Sequence, residues 1–260
     1  MQKAVLKRAL AIVVILAVAV GYVFYRYREQ TIDHLYAEAA GLSPAFRGTR
    51  QAQAATKRLG TYRGARSKQM LLNIALGRTP IVWPDVQREA IEALMSRNDT
   101  GISVIFAGIL QPYQPLPTRQ AAAQALRSLP CTGECVKSIL HYLERVLQGE
   151  PNYEDRTRLA AGLDEGIKAD VKKDQQALYE TLYEVLKREA RATLDVLVQV
   201  HGLGTDAPSK FSLALVSDMQ FREACPLVLR SDALAKRSSA DSFLAPREEL
   251  QLTLRSLRCQ

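Results

Sequence analysis

The residues best equipped for chemistry are four cysteines and three histidines. Cys131 and Cys135 lie in the pentapeptide CTGEC, and His141 follows within the helix expected next. C-x3-C with a nearby His could supply three zinc ligands, with Cys225 or Cys259 as a fourth. The same spacing permits a small disulfide-closed turn at a helix start, eased by Gly133. An even number of cysteines suits two disulfides and an oxidising compartment, although Cys225 could instead be a buried small hydrophobe. The favoured expectation is a Cys131–Cys135 bridge, with Cys225 and Cys259 as further disulfide candidates. The alternative is an enzyme or metal-binding subunit whose site uses Cys131, Cys135 and His141.

Little else reads as an active site. His34, His141 and His201 are far apart, and none is followed by Glu. Glycine-rich phosphate loops, nucleophile elbows and metalloprotease helices are missing. HGLG (201–204) has glycines that a helix C-cap explains. The expectation is a non-enzymatic protein, with no catalytic, metal or cofactor residues to assign.

Charge points to a membrane more than to nucleic acid. The chain carries 35 Lys and Arg against 27 Asp and Glu, a net charge of +8. Residues 1–30 hold Lys3, Lys7, Arg8, Arg26 and Arg28 against Glu29, leaving about +4 for the rest. Between Ala9 and Tyr25 the run ALAIVVILAVAVGYVFY has no charge, which as a helix spans roughly 26 Å. Tyr22, Tyr25 and Tyr27 sit where an interfacial aromatic belt would be, and Arg26 and Arg28 follow as a stop. A cleaved signal peptide is the rival, because Ala17–Ala19 fits a small-residue cleavage site. Cleavage there would leave the apolar VGYVFY as a new N-terminus, so an uncleaved single-pass anchor through residues 9–25 is expected.

The three cations of the short tail place the N-terminus inside by a small margin. The basic residues Arg47, Arg50, Lys57, Arg58, Arg63, Arg66, Lys68 and Arg78 argue the other way. With the cysteines, the balance favours an extracytoplasmic (periplasmic) body at the inner or plasma membrane; a cytoplasmic body is the alternative.

Beyond the anchor the chain reads as all-α. Apolar residues recur three and four apart in Leu71–Leu76, Val86–Met95, Val136–Leu147 and Leu178–Val200. Turn signals fall at GLSP (41–44), GRTP (77–80), QPYQPLP (111–117), LPCTGE (129–134), QGEPN (148–152) and GLGTDAPS (202–209). Residues 167–201 read as one long helix with a Glu184–Arg188 pair on its outer side. The segment 208–229 returns as another helix, and 246–257 closes the chain with Pro246 at its start.

One short pattern repeats. RQAAAQAL places Arg119, Ala122, Ala123, Ala125 and Leu126 in a frame that QREAIEAL matches with Gln87, Ala90, Ile91, Ala93 and Leu94. RTRLAAGL matches with Arg156, Leu159, Ala160, Gly162 and Leu163. A fainter copy, AQAATKRLG, matches at Ala55, Thr56 and Leu59. The closing leucines at 59, 94, 126 and 163 recur at a period suited to an α-solenoid of helical pairs. Over roughly residues 45–165 this pattern resembles the HEAT-repeat family and its short bacterial-type relatives. Departures are Ala52 and Gln87 where Arg would be usual. The resemblance implies stacked helical hairpins whose small residues let second helices pack closely.

The expected organisation is therefore an anchor (1–30), HEAT-like repeats (31–165) and a long helix with a C-terminal helical cap (166–260). A solenoid surface implies a protein partner and a scaffold or adaptor role. Arg47, Arg50, Lys57, Arg58, Arg63, Arg66 and Lys68, with Trp83, form the candidate interaction surface. The basic residues could be a solvated face, a membrane-proximal patch or a phosphate-cradling groove like that of HEAT-like DNA glycosylases. An anchor makes nucleic acid an unlikely partner. Trp83 reads as a staple between repeats, with a binding anchor as its other use.

Overall fold

The computed structural model describes residues 2–44, 48–97, 99, 101–149, 165–237 and 244–259, without the side chains of 2–12, 165–171 and 244–247. The described residues form twelve α-helices and no strand. These are α1 (Gln2–Ala39), α2 (Thr49–Gly60), α3 (Ala65–Ala75), α4 (Pro84–Met95), α5 (Ile102–Ile109), α6 (Leu116–Ser128), α7 (Gly133–Leu147), α8 (Glu165–Arg188), α9 (Ala190–His201), α10 (Lys210–Asp218), α11 (Cys225–Arg237) and α12 (Leu244–Leu257). A single 3-10 turn spans Arg222–Ala224. The chain divides into two compact units, Met1–Arg97 and Asn98–Gln260.

In unit 1, α1 packs on α2 and α3 on α4, while α2 also packs on α4 and α1 touches α3. This is the contact pattern of two stacked hairpins. The core repeats at helical spacing: Ile32, Leu35 and Ala39 on α1 meet Ala52, Ala55 and Leu59 on α2, with Val86, Ala90, Ile91 and Leu94 on α4. A Cβ added to Gly60 would lie 2.7 Å from the Ala93 Cβ. Only a residue without a side chain lets α2 and α4 approach so closely there.

Helix α1 runs unbroken through the boundary expected at residue 30 and ends inside the unit 1 core. Its earlier part behaves differently. Val13, Ile15, Val18, Val23, Phe24 and Tyr27 are between 62% and 71% exposed. Among the described residues no helix is long and apolar enough to cross a membrane. The apolar run itself starts at Ala9, outside the described side chains.

In unit 2, α5 packs on α6 and α7, and α6 on α8. Helix α9 lies against α7 and α8, and α12 receives both α10 and α11. The alanine-rich helix turns Ala122, Ala123 and Ala125 inward and leaves Gln124 exposed. Its alanines are thus a packing face.

Three expectations need correction. The long helix over 167–201 breaks at Glu189, whose backbone leaves α geometry (φ −95°, ψ 41°) between α8 and α9. Its carboxylate is drawn to the Cys131 N–H at 3.3 Å, and the Thr193 hydroxyl donates to the Leu186 carbonyl across the break. The Glu184–Arg188 pair does not form; Glu184 pairs with Arg127 at 2.9 Å, because Arg188 is drawn to the end of α6. The segment 208–229 is divided among α10, the 3-10 turn and the start of α11. The RTRLAAGL copy, Arg156 to Leu163, lies outside the described residues.

Candidate functional site

The most heavily built polar locus is the turn joining α6 to α7. The last carbonyls of helix α6 run out of intrahelical donors, although Leu126 accepts from the Leu129 N–H at 3.3 Å. The Arg188 guanidinium, from the end of α8, donates to the carbonyls of Leu126 (3.2 Å), Leu129 (2.6 Å) and Arg127. Glu189 then accepts from the Cys131 N–H at 3.3 Å and from Arg188 Nε at 3.0 Å. Within this clasp Cys131 and Cys135 are joined by an S–S bond of 2.03 Å, and both residues are buried. The turn is held by a cation, a carboxylate and a covalent bond.

A metal at Cys131, Cys135 and His141 would need two thiolates, and here both sulfurs are spent on each other. His141 is exposed on α7, about 240° round the helix from Cys135. Among the described residues, no three His, Cys, Asp or Glu come together to hold an ion.

The second cysteine pair, Cys225 and Cys259, ties the start of α11 to the residues just after α12. Beside it lies an open cleft lined by Asp232, Lys236, Gln251, Arg255 and Arg258. Asp232 in its lining accepts from Lys236 at 2.6 Å and from Gln251 at 2.8 Å. Arg258 holds a left-handed backbone, φ 54°, next to the bridge. Lys236 is paired with Asp232, so Arg255 and Arg258 are the further cations of its lining.

The lead position of the repeated frame proves to be interior. Arg119 is fully buried, donating to the Gln114 carbonyl at 3.0 Å and the Tyr142 hydroxyl at 2.6 Å. Gln87 is buried too and donates to the carbonyl of Ala75, the last residue of α3, at 3.2 Å. Ala52, at the same position in the faint copy, is buried without such a bond to make. Where the lead residue is polar, it fastens the backbone that precedes its helix.

Perturbed titrating groups are scattered. Burial lowers the pKa of His201 below 6.5, while Glu144, 3.9 Å away, pulls it part of the way back. Burial and the Asp218 charge push Tyr183 up to about 12, and burial raises Asp218. In each case desolvation is the leading cause of the shift.

The described residues of the expected interaction surface lie on α2, the α2–α3 turn, α3 and just before α4. Arg47 lies outside the described residues. Arg50, Lys57 and Arg58 are exposed along α2, and Lys68 is half-buried. Arg63 donates to the Ser96 carbonyl at 3.2 Å. Arg66 bridges Glu29 and Asp33, both at 2.7 Å. Trp83 is half-buried over Gly41, where an added Cβ would lie 2.8 Å from the indole ring. Gly41 has φ +71°, a conformation that glycine adopts without strain. Trp83 thus closes the corner between the end of α1 and the start of α4. Sequence reasoning missed two carbonyl clasps: Arg97, which donates to the Tyr62 and Gly64 carbonyls, and Arg188, whose local spacing marks a pair with Glu184 instead.

Fold and site together define an all-helical protein whose polar side chains largely fasten one helix to the next. Comparison of the chain with known protein families, with characterised proteins and with solved structures finds no match in any of the three.

Proposed function

We propose that this protein is a membrane-anchored, non-enzymatic scaffold or adaptor that holds a protein partner on a HEAT-like α-solenoid surface. The observation that carries the anchor is the character of α1. Its apolar residues from Val13 to Tyr25 are exposed on every side of the helix, and nothing lies within 4 Å of a Cβ added at Gly21. A helix that is apolar all round has one stable environment outside a protein core, which is lipid. The same helix continues into the core of unit 1, so the anchor and the body share one rigid element.

Stacked hairpins with a glycine–alanine contact at their interface support the HEAT-like reading. Outer helix faces left free by such stacking are the surfaces on which solenoids bind other macromolecules. Two bridged cysteine pairs support a body in an oxidising compartment.

Crosslinking in intact cells, followed by mass spectrometry of the captured chains, tests the scaffold reading. A reproducible partner whose crosslinks map to exposed helix faces is the expected result. A chain that crosslinks only to itself, or that turns over a substrate when purified, would replace it.

A further inference from the structure

We infer that the end of unit 1 nearest the membrane is a docking surface for anionic phospholipid headgroups, formed by Arg26, Arg28, Lys57, Arg58 and Arg63. The inference rests on the anchor reading and adds a lipid partner to it. Its basis is how the contacts line up along α1. At the far end of unit 1, Gln51 at the start of α2 donates to Glu38 at 3.0 Å, and Trp83 sits over Gly41. At the near end, the Arg28 guanidinium lies 5.8 Å from the Tyr62 ring, and Arg66 holds Glu29 and Asp33. Helix α2 therefore runs back along α1, and the α2–α3 turn is level with residues 28–33.

That level is close to the lipid. Arg28 and Glu29 follow Tyr25 by about 5–6 Å of helix rise. The headgroup layer of one leaflet is about 5–7 Å thick. The α4 terminus reaches the same level, since Arg63 donates to the Ser96 carbonyl and Arg97 to the Tyr62 carbonyl. The last turn of α2 keeps Ala55, Thr56 and Leu59 inward and leaves Lys57 and Arg58 exposed. Of the facing acids, Glu29 and Asp33 are both held by Arg66, and Glu92 lies exposed on the last turns of α4. The cations thus exceed the acids at the end of unit 1 nearest the headgroups, and such cations attract acidic lipids over about a Debye length.

The test uses the full chain carrying Thr61→Trp, inserted in nanodiscs of one mixed composition of phosphatidylglycerol and phosphatidylcholine. A shallow nitroxide label is carried by the anionic lipid in one preparation and by the zwitterionic lipid in the other. Trp83, roughly 20 Å further from the bilayer by the rise of α1, is the reference. The label on phosphatidylglycerol should quench the added tryptophan more than the label on phosphatidylcholine. Lys57→Glu with Arg58→Glu, both exposed and outside the core, should remove that difference, as should about 1 M salt. Equal quenching by the two labels in the unreversed chain, or a difference that survives charge reversal, would overturn the lipid surface. Failure of the chain to enter the discs would instead overturn the anchor.

Discussion

The two units close a comparable helix–turn–helix by related means, with one difference. In unit 1 the α2–α3 turn is fastened by Arg97, which donates to the Tyr62 carbonyl at 2.7 Å, the Gly64 carbonyl at 3.0 Å and the Ser67 hydroxyl at 3.2 Å. In unit 2 the α6–α7 turn is fastened by Arg188 in the same manner, and then by Glu189 and a disulfide. In each case an arginine remote in sequence supplies charge-assisted donors to the carbonyls of the turn. Unit 1 contains no cysteine, whereas all four lie in unit 2. The stability of one unit is therefore coupled to the redox state of its surroundings, and that of the other is not.

Reduction should expose this difference most strongly. Cys225 and Cys259 are 34 positions apart, and a loop of that size constrains the unfolded chain by about 4 kcal/mol. Replacing both by Ser should lower the denaturant midpoint of unit 2 accordingly, and replacing Cys131 and Cys135 should cost about 2 kcal/mol. Segment-resolved hydrogen exchange should show faster opening in α10–α12 with α2–α4 unchanged. Equal acceleration in both units would break the comparison.

Next in size is the buried lead residue. Arg119→Leu removes the buried guanidinium's bonds to the Tyr142 hydroxyl and the Gln114 carbonyl, and should cost about 3 kcal/mol. Gln87→Leu removes the bond to the Ala75 carbonyl in unit 1 and should cost about 1–2 kcal/mol. Urea unfolding of the two variants measures the ratio; a larger loss for Gln87→Leu would refute this account of the frame.

Packing faces should give about 1–3 kcal/mol in either unit. Gly60→Val forces a side chain onto Ala93, and Ala122→Leu or Ala125→Leu overfills the alanine face. Gln124→Leu, on the exposed side, should change little. Thermal melts that rank Gln124→Leu with the other three would show that the faces are misassigned.

The smallest expected effect is a pH dependence confined to unit 2. His201 has a folded pKa below its ordinary 6.5. Its contribution is complete above pH 6.5 and is lost as pH falls through the lowered value, because the unfolded chain takes up the proton first. Unit 2 should lose stability on acidification below about 6.5, and His201→Gln should flatten that slope. A slope unchanged by the substitution would assign it elsewhere.

The legible part of this molecule is the part set by local periodicity. Ala122, Ala123 and Ala125 mark a packing face because three- and four-residue spacing survives in the folded helix. Helix α5 was not legible: ISVIFAGI is apolar nearly throughout, and a short apolar run carries no readable period. The break at Glu189 was hidden because its cause, the Cys131 amide, is far away in sequence. A local rule pairs Glu184 with Arg188, yet the carbonyls of Leu126, Arg127 and Leu129 at the end of α6 outcompete one exposed carboxylate. The C-x3-C spacing permitted a bridged turn or a metal site, and nothing local revealed that Arg188 clasps that turn.

The central claim is that the apolar part of α1 remains attached to the body and lies in lipid. Alkaline carbonate extraction of isolated membranes, with peptide mapping of the retained chain, tests it directly. The account predicts that the chain stays in the membrane pellet and still carries residues 9–25. Release into the supernatant, or a retained chain beginning at Val20, would contradict it.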